Sequence, residues 1–177
     1  MHRLFVAIRP PESICDLLID AMDDSPELRW VSDEQLHLTL RFVGEVERPV
    51  ANDLAAALGA LRAERFDLRI RGVGRFDQKR GGSVWAGVEP KSPVAALSAK
   101  VERACQSIGI AAETRTFQPH ITLGRWSGRS SAAADSLVSR LGGLSSEPFT
   151  IDRFTLFESR LSRHGPHYEA VADYELG

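Results

Sequence analysis

Two phrases in this chain nearly repeat one another: "QLHLTLRF" at residues 35–42 and "QPHITLGR" at 118–125, with a shared core Gln-x-His-x-Thr-Leu. The chain has 177 residues and only five histidines, so two of them in one short phrase suggests that they act together. The spacing is 120 − 37 = 83, and the same offset holds beyond the motif. It pairs Leu54 with Leu137, Leu58 with Leu141, Leu61 with Leu144 and Phe66 with Phe149. Further on it pairs Arg80 with Arg163, Gly82 with Gly165, Trp85 with Tyr168 and Val88 with Val171, and upstream Pro10 with Pro93. A register that runs without a gap is an internal duplication. Two copies are too few for a solenoid, so two similar halves, about 1–82 and 83–177, should face each other across a pseudo-two-fold axis in one catalytic domain.

The coarse elements agree between the halves. The run "LFVAI" (4–8) is rich in strand formers and is closed by Pro10-Pro11. A helical pattern follows with Ile14, Leu17, Leu18 and Met22 on one face. The counterparts are "SVWAGVE" (83–89) and a helix with Val94, Leu97, Val101 and Ile108. Each motif phrase alternates like a half-buried strand and precedes a leucine-bearing helix. The segments "RFDLRIRGV" (65–73) and "PFTIDRFTLF" (148–157) then read as strands. Strands mixed with helices, without a regular βαβ series, indicate an α+β fold.

In a strand, residues i and i+2 share a face. His37 and Thr39 therefore project together, as do His120 and Thr122, while Leu38, Leu40, Ile121 and Leu123 face the core. Imidazole titrates near neutrality, so one copy can accept a proton while the other donates one. Displacement at phosphorus needs attacking and leaving oxygens roughly in line. Two histidines related by a two-fold axis supply a base on one side and an acid on the other. The symmetry hides which is which. The threonine hydroxyls suit the non-bridging oxygens, and Arg125 can add a charge-assisted contact.

Rival readings are weaker. Each phrase supplies one histidine with no cysteine or carboxylate at ligand spacing, so no metal site is expected. "HGPH" (164–167) reads as a Gly-Pro loop with two solvent histidines, and "QKRGGS" (78–83) as a basic hairpin turn. "RGVGRF" (71–76) lacks the third glycine of a dinucleotide fingerprint, and no Ser or Cys stands in a nucleophile elbow. Cys15 and Cys105 lack a C-x-x-C partner and read as buried thiols of a reducing compartment. A net charge of −2 excludes a strong global pull on nucleic acid, so a polyanion would have to meet a local arginine cluster. Apolar runs are too short for a membrane span, and the N-terminal run is too short for a signal peptide. A cytoplasmic monomer without membrane association is expected.

Together, "RLFVAIRPP" (3–11), "LHLTLRFVGEV" (36–46), "FQPHITLGR" (117–125) and "SRLSRHGPHY" (159–168) resemble the two-histidine (2H) phosphoesterase superfamily. Within it they are similar to the RNA 2',3'-cyclic phosphodiesterases, also called 2'-5' RNA ligases. The resemblance implies a bilobal fold with two mainly antiparallel sheets, flanking helices and a central cleft. It implies cofactor-free, metal-independent hydrolysis of an RNA-terminal 2',3'-cyclic phosphate to a 2'-phosphate, with 2'-5' joining in reverse. It assigns His37 as proton donor and His120 as proton acceptor, with Thr39, Thr122 and Arg125 on the phosphate. Phe42 is a candidate for stacking on the terminal base, with a core role as its alternative. Gly124 is expected to leave room for a ligand beside Arg125. The competing functions are a non-catalytic RNA or nucleotide-binding module and a 2H esterase for small cyclic nucleotides.

Overall fold

A computed structural model describes residues 1–128 and 131–177. The first half contains β1 (His2–Ile8), α1 (Glu12–Ala21), β2 (Arg29–Trp30), a 3-10 turn (Asp33–Gln35), β3 (Leu38–Val46), α2 (Arg48–Ala60) and β4 (Phe66–Gln78). The second contains β5 (Gly81–Glu89), α3 (Lys91–Ser107), β6 (His120–Trp126), α4 (Ala132–Leu141), β7 (Phe149–Ile151), β8 (Arg153–Ser162) and β9 (Gly165–Glu175). The fold is α+β, as expected. Most elements fall where periodicity put them; β2, of two residues, is too short to carry a pattern, β9 was not anticipated, and the 148–157 segment forms two strands, β7 and β8, rather than one.

The strands pair antiparallel in the order β7-β4-β5-β6-β3-β1-β8-β9, with β2 added to β6. The two expected sheets are the halves of this path, β7-β4-β5-β6 and β3-β1-β8-β9. They are continuous rather than separate, because β3 and β6 pair at one position, Leu38 with Ile121. These two residues are related by the 83-residue repeat. A second repeat-related pair, Asp67 and Thr150, faces across β4 and β7, and the Thr150 hydroxyl donates to Asp67 at 2.7 Å. The pseudo-two-fold axis therefore runs through both junctions.

The sheet halves do not coincide with the sequence halves 1–82 and 83–177. β1 pairs with β3 and β8, whereas β5 pairs with β6 and β4. β8 is the repeat mate of β4, so each half lends this strand to the other half's sheet. Separating the halves would break both sheets.

The leucine patterns account for the core. Ile14, Cys15 and Leu18 of α1, Leu54 and Leu58 of α2, Val94, Leu97 and Val101 of α3, and Leu137 of α4 are all buried. Ser131 caps α4 by accepting the Ala134 amide at 3.1 Å, satisfying one otherwise unpaired helix donor. Leu144 falls beyond α4, where the 71–72 backbone takes over its pairing. Cys15 and Cys105 are free and fully buried, and burial pushes the Cys105 thiol up to about 11. Among the described residues no helix is long and apolar enough to cross a membrane.

The junction carries a stability consequence. Leu38 and Ile121 are each 1% exposed, so truncating one leaves a cavity where the two sheet halves meet. Leu38→Ala should lower the unfolding free energy by about 2–5 kcal/mol, read as a reduced urea midpoint with an unchanged m-value. A loss below about 1 kcal/mol would mean the junction is not a packed part of the core.

Candidate active site

His37 immediately precedes β3 and His120 opens β6. Leu38 lies opposite Ile121 in an antiparallel pair, so His37 and Thr39 on one strand and His120 and Thr122 on the other flank the same junction. The alternation of the strand sends these four side chains to the face opposite Leu38, Leu40, Ile121 and Leu123, which are all buried. The fold thus brings both His–Thr pairs together on one surface.

The backbone also fixes each imidazole. Nδ1 of His37 lies 2.7 Å from the Gln35 carbonyl, and Nδ1 of His120 lies 2.6 Å from the Gln118 carbonyl. A carbonyl oxygen only accepts, so each Nδ1 carries the proton and each Nε2 keeps a free lone pair. The glutamine two residues upstream, common to both phrases, therefore contributes first through its main chain. The Gln35 side chain does more: its amide nitrogen donates to the Pro166 carbonyl at 2.8 Å, tying the turn to β9, and its oxygen accepts the Ser32 amide. No hydrogen bond engages the Thr39 or Thr122 hydroxyl, and no ion pair engages Arg125, among the described residues.

Aromatic rings wall each histidine. Phe5 and Tyr168 flank His37 with centroids 5.0 and 5.3 Å away, and Phe76 and Trp85 flank His120 at 4.9 and 6.0 Å. Sequence reasoning passed over these walls, although the repeat had already paired Trp85 with Tyr168. Arg9 was missed too; its guanidinium donates to the Asp33 and Leu36 carbonyls and so braces the turn before His37. A third omission is Arg41, a buried cation paired with Glu102 of α3 at 2.7 Å. It also donates to the Ala111 carbonyl, linking β3 to the segment that leads to His120.

Burial pushes His37 down to about 4, with Arg125, His120 and Arg9 adding to the effect and the Gln35 carbonyl opposing it. His120 is lowered as well, by burial and then by Arg125, against the Gln118 carbonyl. Arg125 is therefore close enough to act on both rings. Desolvation and positive neighbours disfavour the imidazolium, so both rings rest neutral at pH 7. An arriving phosphate anion would offset those neighbours and favour protonation.

Two expectations change. A Cβ at Gly124 would lie 3.0 Å from the Trp30 ring and 3.1 Å from the Arg29 carbonyl. The space that glycine leaves is thus filled by β2, not by a ligand. Phe42 is not a core residue: it is 40% exposed, stacked on Phe5 at 5.9 Å, with the Arg3 guanidinium 5.8 Å from its centroid. The 78–83 segment forms a hairpin end, as expected, whereas Gly165, Pro166 and His167 of the expected Gly-Pro loop open β9; His164 and His167 are exposed, as expected. Among the described residues no three His, Cys, Asp or Glu side chains gather in a metal-binding group.

The family model described as the 2'-5' RNA ligase superfamily matches residues 10–163. The chain belongs to that superfamily. An Aeropyrum pernix protein named RNA 2',3'-cyclic phosphodiesterase is 36% identical over 152 residues, covering 84% of this chain and 85% of the relative. A Thermus thermophilus protein of the same name is 33% identical, covering 98% and 90%. Among solved structures, E. coli LigT complexed with 3'-AMP superposes with a TM-score of 0.82 at 27% identity, over 99% of this chain and 98% of that one. The superfamily model spans both histidine phrases and the junction between them.

The depressed histidines make stability depend on pH with a definite sign. Below the ordinary imidazole value of about 6.5, the unfolded chain binds protons that the folded site refuses. Stability should therefore fall as pH drops from about 6.5 towards 5, above the range where carboxylates contribute. His37→Gln should flatten that slope in pH-resolved urea melts. An unchanged slope would show that His37 is not depressed.

Proposed function

We propose that the chain is an RNA 2',3'-cyclic phosphodiesterase that leaves a 2'-phosphate, using two-histidine acid–base catalysis without a metal. The observation that carries this reading is the Leu38–Ile121 junction, which sets two Nδ1-anchored imidazoles and two unengaged hydroxyls around one surface. Membership of the superfamily and the names of its relatives support the substrate class, and 3'-AMP in E. coli LigT is a nucleoside phosphate of the same kind.

In the proposed reaction His120 Nε2 accepts a proton from water as its oxygen attacks phosphorus. The P–O3' bond breaks on the opposite side, and His37 Nε2 gives a proton to O3'. Thr39 and Thr122 donate hydrogen bonds to the non-bridging oxygens. Arg125 neutralises charge that develops on the phosphoryl group. His37 is neutral in the free site, so it gains its proton when the anionic ester binds. Phe42 stacks on the terminal base, with Arg3 beside it. In reverse, a 5'-hydroxyl replaces water and a 2'-5' linkage forms. All of these groups come from one chain, so a single copy carries the reaction.

Each histidine should be worth about 10²–10⁴-fold in kcat. His37→Ala and His120→Ala should each lose that much on an oligoribonucleotide cyclic phosphate assayed in EDTA, with a 2'-phosphate as the wild-type product. Near-normal turnover by either variant would exclude the mechanism, and no turnover by the wild type would favour a binding module.

The pH profile should be a bell. Both free-site histidines are depressed, so the limbs of kcat/KM should lie below the ordinary imidazole value of about 6.5, with those of kcat displaced upward by the bound anion. Limbs of kcat/KM at or above about 7 would contradict neutral, buried imidazoles.

A further inference from the structure

Hydrolysis needs only water on the His120 side of the phosphorus, yet that side opens into a cavity of about 450 Å³. One wall is an aromatic seat: Trp85 and Phe76 lie 5.1 Å apart, and Phe117 and His120 also line the cavity. The indole is held flat, because a Cβ at Gly74 would fall 2.4 Å from it. At the rim stand two exposed cations, Arg71 and Lys91, neither with an ion-pair partner among the described residues. The nearby Glu89 is already engaged by Arg69 at 2.7 Å.

The cavity on the Tyr168 side of the first half's site differs in charge. It measures about 560 Å³ and carries Glu34, Asp152 and Asp173. Its cations are occupied, Arg153 by Asp152 and Arg9 by the turn carbonyls. Two cavities related by one pseudo-symmetry have thus diverged, and only the His120 one joins a stacking surface to free positive charge. Stacking on an indole is sequence-tolerant and contributes substantially to single-strand binding, and unpaired cations suit a backbone phosphate.

We infer that the His120 cavity is the subsite for an acceptor nucleotide: a 5'-hydroxyl ribonucleotide whose base stacks on Trp85 and whose 3'-phosphate meets Arg71 and Lys91. This rests on the proposed assignment of His120 as the proton acceptor. The acceptor's 5'-oxygen attacks phosphorus, and its proton passes to His120. The P–O3' bond breaks, O3' takes the proton from His37, and a 2'-5' phosphodiester results. No other reactant is needed. Without an acceptor, water enters the same side and the ester is hydrolysed.

The test compares the wild type with the Arg71→Ala/Lys91→Ala variant, whose exposed positions leave the core intact. Three rates are measured: hydrolysis of an oligonucleotide cyclic phosphate, joining of that end to a 5'-hydroxyl dinucleotide, and joining to a 5'-hydroxyl nucleoside without phosphate. The variant should lose about tenfold to a hundredfold in kcat/KM for the dinucleotide acceptor, as expected for charge-assisted contacts. Hydrolysis and nucleoside joining should stay within about twofold, since no phosphate contact is lost there. Three results would overturn the inference: equal joining by both proteins, a parallel fall in hydrolysis that assigns the cavity to the cyclic end, or hydrolysis by the wild type with no joining. The last leaves the phosphodiesterase reading intact. Absence of hydrolysis by the wild type would remove that reading itself.

Discussion

The contact between Leu38 and Ile121 is the constraint on which the site depends. Residues equivalent in the repeat meet each other there, so whatever flanks one is duplicated around the other. Burying the two apolar side chains drives the meeting. The strand alternation then forces His37, Thr39, His120 and Thr122 to the opposite face. A hydrophobic contact on one side of the sheet thereby sets polar geometry on the other. The second repeat-related pair, Asp67 with Thr150, keeps the axis from pivoting about a single point.

Electrostatics complete what the junction begins. Backbone carbonyls two residues upstream hold both rings in one tautomer, so the Nε2 lone pairs do not depend on side-chain networks. Burial and Arg125 keep the rings neutral. A resting imidazolium pair would repel itself in a half-buried site. Neutral rings avoid that cost, and in the proposed mechanism the donor would take up its proton as the anionic substrate binds.

Much of this was legible in the sequence, for a physical reason. A strand period of two makes His-x-Thr a statement about one face, and a constant offset makes two such phrases a statement about symmetry. The buried Leu38, Leu40, Ile121 and Leu123 follow from the same period. What escaped was long-range. The exchange of β4 and β8 between the sheet halves is a matter of which strands pair, and a repeat does not reveal it. Phe5, Phe76, Trp85 and Tyr168 reach the histidines only through neighbouring strands, so no local spacing marks them. Gly124 misled because the short β2, which fills the space beside it, has no pattern of its own.

The central claim is that the two histidines act from opposite sides of one phosphorus in a single displacement. The most direct test is the stereochemistry of that displacement. A nucleoside 2',3'-cyclic phosphorothioate of one configuration, hydrolysed in ¹⁸O-labelled water, reports it through the configuration of the 2'-phosphorothioate product. One in-line attack, with His120 and His37 on opposite sides, gives inversion. Retention, from two successive displacements or from adjacent attack with pseudorotation, would contradict the account.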